Sequence, residues 1–125
     1  MNQSRAEKIH EMLETLRTMD TDIQGTAVAT NEGLVIASSL AANLDEERLS
    51  AICAAAATVT SRTAEEFDKG EPTEVHIRAP KGYILIMRSG ASSLLVAITH
   101  HGANLGLILL DMRRVAREIA SVLEV

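Results

Sequence analysis

Residues 49–61, LSAICAAAATVTS, carry no charge, no glycine, no proline and almost no side chain larger than valine. Charged runs bracket this stretch, Asp45–Arg48 before it and Arg62–Glu66 after it. A helix lying on a protein surface normally keeps a face of Lys, Glu or Arg for water. More than three helical turns without such a face leave two readings. Alanine is the best helix former, so a bare alanine face can simply be tolerated by water. Alternatively, small side chains let a second element come close and cover that face.

The pattern around this helix sets the rest. Residues 4–19 read as an amphipathic helix, with Ser4 and Glu7 at capping-box spacing and Ile9, Met12, Leu13, Leu16 and Met19 on one stripe. IQGTAVAT (23–30) and LVIAS (34–38) read as strands joined by Asn31-Glu32-Gly33, residues suited to a tight hairpin turn. The small-residue helix follows, capped by Asn43 or Asp45, and stops before Gly70 and Pro72. TEVHIRA (73–79), YILIMRS (83–89) and LLVAITH (94–100) read as three more strands. A last helix, capped by Asn104 and reaching Leu123, buries Ile108, Met112, Val115, Ile119 and Val122. Its start is open, because LGLILL (105–110) suits a strand as well.

The order α-β-β-α-β-β-β-α with hairpin-length turns predicts an α/β (α+β) architecture. Its sheet has five mostly antiparallel strands, with helices on both faces. A length of 125 residues suits one domain spanning 1–125. Phe67 and Tyr83 are the only aromatics, so the core is aliphatic. YILIMRS and LLVAITH are apolar on both sides of the pleat and call for cover on both faces. TEVHIRA alternates, which suits a sheet edge or a less covered position.

On the middle helix, Leu49, Ile52, Ala56, Val59, Thr63 and Phe67 form one stripe, which we expect on the sheet. The other side presents Ala51, Ala55, Thr58 and Arg62, with Ala54, Ala57 and Ser61 beside them. We expect a second copy of the chain to cover this side, since a symmetric homodimer is the commonest way to do so. Two copies of TEVHIRA can also pair edge to edge, removing an exposed strand edge. The expected dimer interface is thus Ala51, Ala54, Ala55, Thr58, Ser61 and Arg62 on the helix, with Val75, His76, Ile77 and Arg78 on the strand.

The chain resembles the roadblock / dynein light chain family. The resemblance is carried by IQGTAVATNEGLVIAS, by LDEERLSAICAAAATV and by GYILIMRSGASSLLVAITHHGANLGLILLDM, and covers roughly residues 7–123. It implies a profilin-like fold and a homodimer with paired middle helices and joined third strands. It also implies a non-catalytic role: dynein subunit, scaffold for Ras-like GTPases or, in prokaryotic stand-alone members, GTPase-activating or regulatory partner. The compact chain looks like that stand-alone form.

Chemical signatures add little. A GTPase needs a G-x-x-x-x-G-K-[ST] loop, and none is present. GANLG (102–106) reads as a tight loop into a helix cap. Adjacent His100 and His101 point to opposite sides of a strand and would not share a metal ion. Cys53 is the lone cysteine and behaves as a small apolar residue. His10 and His76 read as isolated and exposed, and Met12, Met19, Met87 and Met112 as core. Ser92-Ser93 has no base partner, so no hydrolase triad is expected. We expect no catalytic residue, cofactor or metal. A net charge of −5 with scattered Lys and Arg argues against nucleic acid. No apolar run is long enough for membrane insertion. Together with a polar N-terminus and no disulfide, this points to the cytoplasm.

The expected function is a non-enzymatic homodimer that binds and modulates a small Ras-like GTPase, the partner being implied by the resemblance alone. Alternatives are a structural adaptor subunit of a larger complex and, less favoured for want of aromatics, a ligand-sensing module.

Overall fold

A computed structural model describes residues 3–124. Eight elements follow in the expected order: α1 (Arg5–Met19), β1 (Ile23–Thr30), β2 (Val35–Leu40), α2 (Glu46–Glu66), β3 (Glu74–Ala79), β4 (Gly82–Arg88), β5 (Ser93–Thr99) and α3 (Leu105–Leu123). The stretch that suited either helix or strand, 105–110, opens α3. The helix starts are fixed by side chains. Ser4 Oγ accepts from the Glu7 amide, Asp45 Oδ1 from the Glu47 and Arg48 amides, and Asn104 Oδ1 from the Leu107 amide. Each satisfies a donor that the first helical turn would otherwise leave bare.

The strands form one sheet in the order β2-β1-β5-β4-β3, and all four pairings are antiparallel. β5 lies at the centre and is buried almost throughout. β3 lies at one edge, one of the two positions its alternation suited.

Helices α1 and α3 cover one face of the sheet. Ile9, Leu13, Leu16, Ile108, Met112, Val115 and Ile119 pack there against Val28, Leu85, Met87, Leu95 and Ala97. Full burial of such aliphatic side chains contributes about 1.5–3 kcal/mol each, so this layer is the principal core. The other face is thinner. Cys53 and Ala54 of α2 meet Ile86, Leu94 and Val96. α2 rests on β1, β2 and β5.

Two expectations about burial are corrected. β4 is not covered on both faces along its length, because α2 sits over the other strands and leaves its first half open; Ile84 is only partly buried. Met19 is 53% exposed rather than core: its sulfur lies 4.0 Å from Nη2 of Arg114 at the surface. Among the described residues no helix is long and apolar enough to cross a membrane.

Candidate interaction surface

The middle helix is rotated relative to the expectation from periodicity. Its sheet-facing residues are Ser50, Cys53 and Ala54, all buried, with Ala57 beside them. Most of the stripe expected on the sheet points away instead: Ile52 is 58% exposed, Val59 65% and Phe67 69%, while Leu49 and Ala56 at its margin are partly buried. Close approach explains the reversal. Gly33, in the β1–β2 turn, adopts φ +94°, and a Cβ built on it would lie 2.9 Å from Cα of Ala51 and 3.4 Å from Cβ of Ala54. The small side chains of Ser50, Cys53 and Ala54 let α2 come this close to the sheet, and the larger Ile52 and Val59 turn outward. Burying Ile52 and Val59 would have required α2 to stand further off, losing contact along its small-residue stripe.

The interface residues expected from sequence divide accordingly. Ala51, Ala55, Thr58 and Arg62 are exposed on the outer half of α2. Ala54 is not available there, being 4% exposed in the chain's own core beneath the helix. Ser61 is half-buried and donates to Glu71 Oε1 at 2.7 Å. On β3, Val75 is half-buried, while His76, Ile77 and Arg78 are exposed. Pairing places Val75 opposite Ile86 and Ile77 opposite Ile84, all on the α2 side of the sheet.

The structure therefore joins two features that sequence kept apart. The outward stripe of α2 and the α2-side residues of β3 and β4 form one apolar surface. It runs beside a strand edge that has no partner among the described residues. Ile52 and Val59 belong to it and were missed. Their signal was present: Ser50, Cys53, Ala54, Ala57 and Ser61 form a small-residue stripe at helical spacing, as suited to the chain's own sheet as to a partner helix.

Charged groups lie near β3 on both faces of the sheet. The guanidinium of Arg88 pairs with Glu71, which also accepts from Ser61. The Ser61 hydrogen bond and then the Arg88 contact hold the Glu71 carboxyl below its usual range. Arg113 donates twice to Glu74, from Nε at 2.6 Å and Nη2 at 3.0 Å, and His76 Nε2 lies 2.9 Å from the same carboxylate. These bonds, the Arg113 pair first, also lower the Glu74 pKa. His76 is thus not isolated, nor is His10, whose Nδ1 lies 2.8 Å from the Ser38 carbonyl and whose Nε2 lies 2.6 Å from Glu14. Arg62 and Arg78 are exposed and in no ion pair among the described residues.

Comparison with known proteins decides the family. The family model of the Roadblock/LC7 domain matches residues 9–99. The chain belongs to the Roadblock/LC7 family. It is 36% identical over 100 residues to the uncharacterised protein MJ1340 of Methanocaldococcus jannaschii, covering 80% of this chain and 87% of that one. Among solved structures, Myxococcus xanthus MglB superposes with a TM-score of 0.89 at 20% identity, covering 99% of this chain and 93% of that one. Schizosaccharomyces pombe profilin superposes with a TM-score of 0.65 at 15% identity, covering 90% and 97%. The roadblock fold is thus profilin-like here, as the sequence resemblance implied.

Proposed function

We propose that this roadblock chain, with residues 1–125 working as one unit, is a non-enzymatic regulatory homodimer that binds and modulates a small Ras-like GTPase. The observation that supports the dimer is the exposure of Ile52, Val59 and Phe67 on α2 together with an edge of β3 that is unpaired among the described residues. Two copies related by a twofold axis would bury both stripes together and extend the two sheets into one. The expected contact set is Ala51, Ala55, Thr58 and Arg62 with Ile52 and Val59 on α2, and Val75, His76, Ile77 and Arg78 on β3. One solved structure that this chain matches is described as MglB with tetrameric arrangement, so self-association is known of that protein.

The GTPase partner rests on the family. The mechanism is differential binding: a dimer face that holds nucleotide-sensing loops better in one state shifts their equilibrium toward it. If turnover rises, the dimer orders the GTPase's own groups or lends an arginine in trans. Among the described residues Arg62 and Arg78 make no ion pair and suit that role, whereas Arg88 is engaged by Glu71. The second reading is an adaptor subunit. It is favoured by the groove between α1 and α3, where Met12, Leu16, Met19 and Val115 are flanked by Lys8, Glu11, Arg114 and Glu118, a mix that suits an amphipathic helix.

The deciding experiment is capture of purified Ras-like GTPases, loaded with GDP or a non-hydrolysable GTP analogue, on the immobilised chain. Retention of one nucleotide state over the other by at least about tenfold, or about 1.4 kcal/mol, supports regulation. Equal retention of both states supports the adaptor reading. No retention of any GTPase overturns both the partner and the mechanism.

A further inference from the structure

At one end of the sheet the β3–β4 turn is drawn against the segment that leaves β5. Gly82 makes this approach possible: it adopts φ +144°, and a Cβ built on it would collide with the Thr99 carbonyl. The next amide, that of Tyr83, donates to Thr99 Oγ1 at 3.1 Å, and the same hydroxyl donates to the His100 carbonyl at 3.0 Å. His101 and Gly102, the latter at φ +78°, then turn the chain toward the Asn104 cap of α3. Residues from the β3–β4 hairpin and from the β5–α3 loop are thereby placed around one hollow.

Arg78 stands opposite Tyr83 in the β3–β4 pairing. Tyr83 packs on the core layer beneath α1 and α3, so the Arg78 side chain stands on that face of the sheet, away from α2. Arg78, Tyr83 and His101 line an open cleft of about 440 Å³, with Gly82 and Gly102 in its wall. The side chains of Arg78 and His101 are exposed and make no hydrogen bond or ion pair with the described residues. Lys81, at the tip of the turn, is exposed and makes none either. No Asp or Glu is among the residues that line the cleft. Asp22 is tied to this end of the sheet through its carbonyl, which accepts from the His100 amide at 2.9 Å, but it lies outside the lining. In a chain of net charge −5, cationic side chains without a carboxylate beside them make this cleft a local centre of positive potential.

We propose that this cleft is an anion site that holds a small phosphate-bearing molecule by its phosphate group, with Arg78 and His101 as donors and Lys81 adding charge at the rim. The guanidinium presents a planar fork of N–H donors that matches phosphate oxygens two at a time, and the imidazole and the phenol of Tyr83 each supply one donor more. A phosphate gathers close to two negative charges on one tetrahedral group, whereas a carboxylate brings one. Several unpaired cations around one hollow therefore favour the phosphate. The cleft falls within the roughly 300–1,000 Å³ usual for small-molecule sites, which leaves room for an organic body beyond the phosphate. The site does not depend on the GTPase or on the dimer. Pairing of two β3 edges would use the backbone of the strand and leave the Arg78 side chain on the α3 face.

The test follows backbone amide resonances of the labelled full chain as inorganic phosphate, glycerol phosphate or succinate is added at constant ionic strength. Near neutral pH the three probes carry closely similar charge, so charge alone does not rank them. The expected result is a saturable shift at residues 78–83 and 100–102 with the phosphates. Affinity should fall at least about tenfold in Arg78→Gln combined with His101→Gln, as loss of charge-assisted hydrogen bonds requires. Arg117→Gln, exposed on α3 and outside the cleft, removes the same charge and should bind as wild type does. Tighter binding of glycerol phosphate assigns an organic phosphate, and tighter binding of inorganic phosphate assigns the free ion. Shifts that do not saturate would mean an adventitious ion only and overturn the site. Equal affinity for succinate, or an equal loss in Arg117→Gln, would overturn it as well. The wild-type titration needs no variant, so a poorly folding double substitution leaves the proposal decidable.

Discussion

A methyl group placed on Gly33 would lie 2.9 Å from the α-carbon of Ala51. That contact between a hairpin turn and a helix backbone decides which side of α2 the solvent sees. It seats α2 on its serine, cysteine and alanine face and turns isoleucine and valine outward.

Gly33→Ala should therefore destabilise the fold. The left-handed φ alone costs about 1–2 kcal/mol for a residue with a Cβ, and displacement of α2 adds to it. A denaturant titration is expected to show a lower midpoint with an unchanged slope. A midpoint equal to wild type would remove the close-approach argument.

Outward and inward positions on α2 should respond in opposite ways. Ile52→Asp with Val59→Asp, or Ala55→Glu with Thr58→Lys, should leave a folded monomer by light scattering. Ala54→Leu should instead unfold the chain more easily, by about 1–3 kcal/mol, through overpacking against the sheet. A charged double variant that remains dimeric would exclude the α2 face as the interface.

The Glu74–Arg113 pair gives an acid-side signature. The Glu74 carboxyl is held below its usual value of 4.5, so its stabilisation is present above that pH and is lost as pH falls below it. Glu74→Gln should lower Tm at pH 7 and converge with wild type in acid, once the carboxyl is protonated. An offset that persists there would assign the effect to packing rather than to charge.

Cys53 should be unreactive in the folded chain. Burial pushes its thiol up to about 11, and the residue is 4% exposed. Thiolate is the reacting species, so labelling by a disulfide reagent at pH 8 should run at least about tenfold slower than in denaturant. Equal rates would show that α2 lifts from the sheet readily.

Local pattern alone determined the element order, the caps Ser4 and Asn104 and the buried stripe of α3; it narrowed the cap of α2 to Asn43 or Asp45 and β3 to an edge or a less covered position. Each of these depends on residues close together in the chain: Ser4 with Glu7, alternation along 74–79, and the helical period of Ile108, Met112, Val115 and Ile119. The rotation of α2 was not legible, because both of its stripes are apolar or small and periodicity cannot rank them. Only the tertiary contact between Gly33 and the backbone of α2 at Ala51 ranked them, since it admits small side chains and excludes large ones. Short-range periodicity sets which residues share a face; which face is buried depends on how closely distant segments can approach.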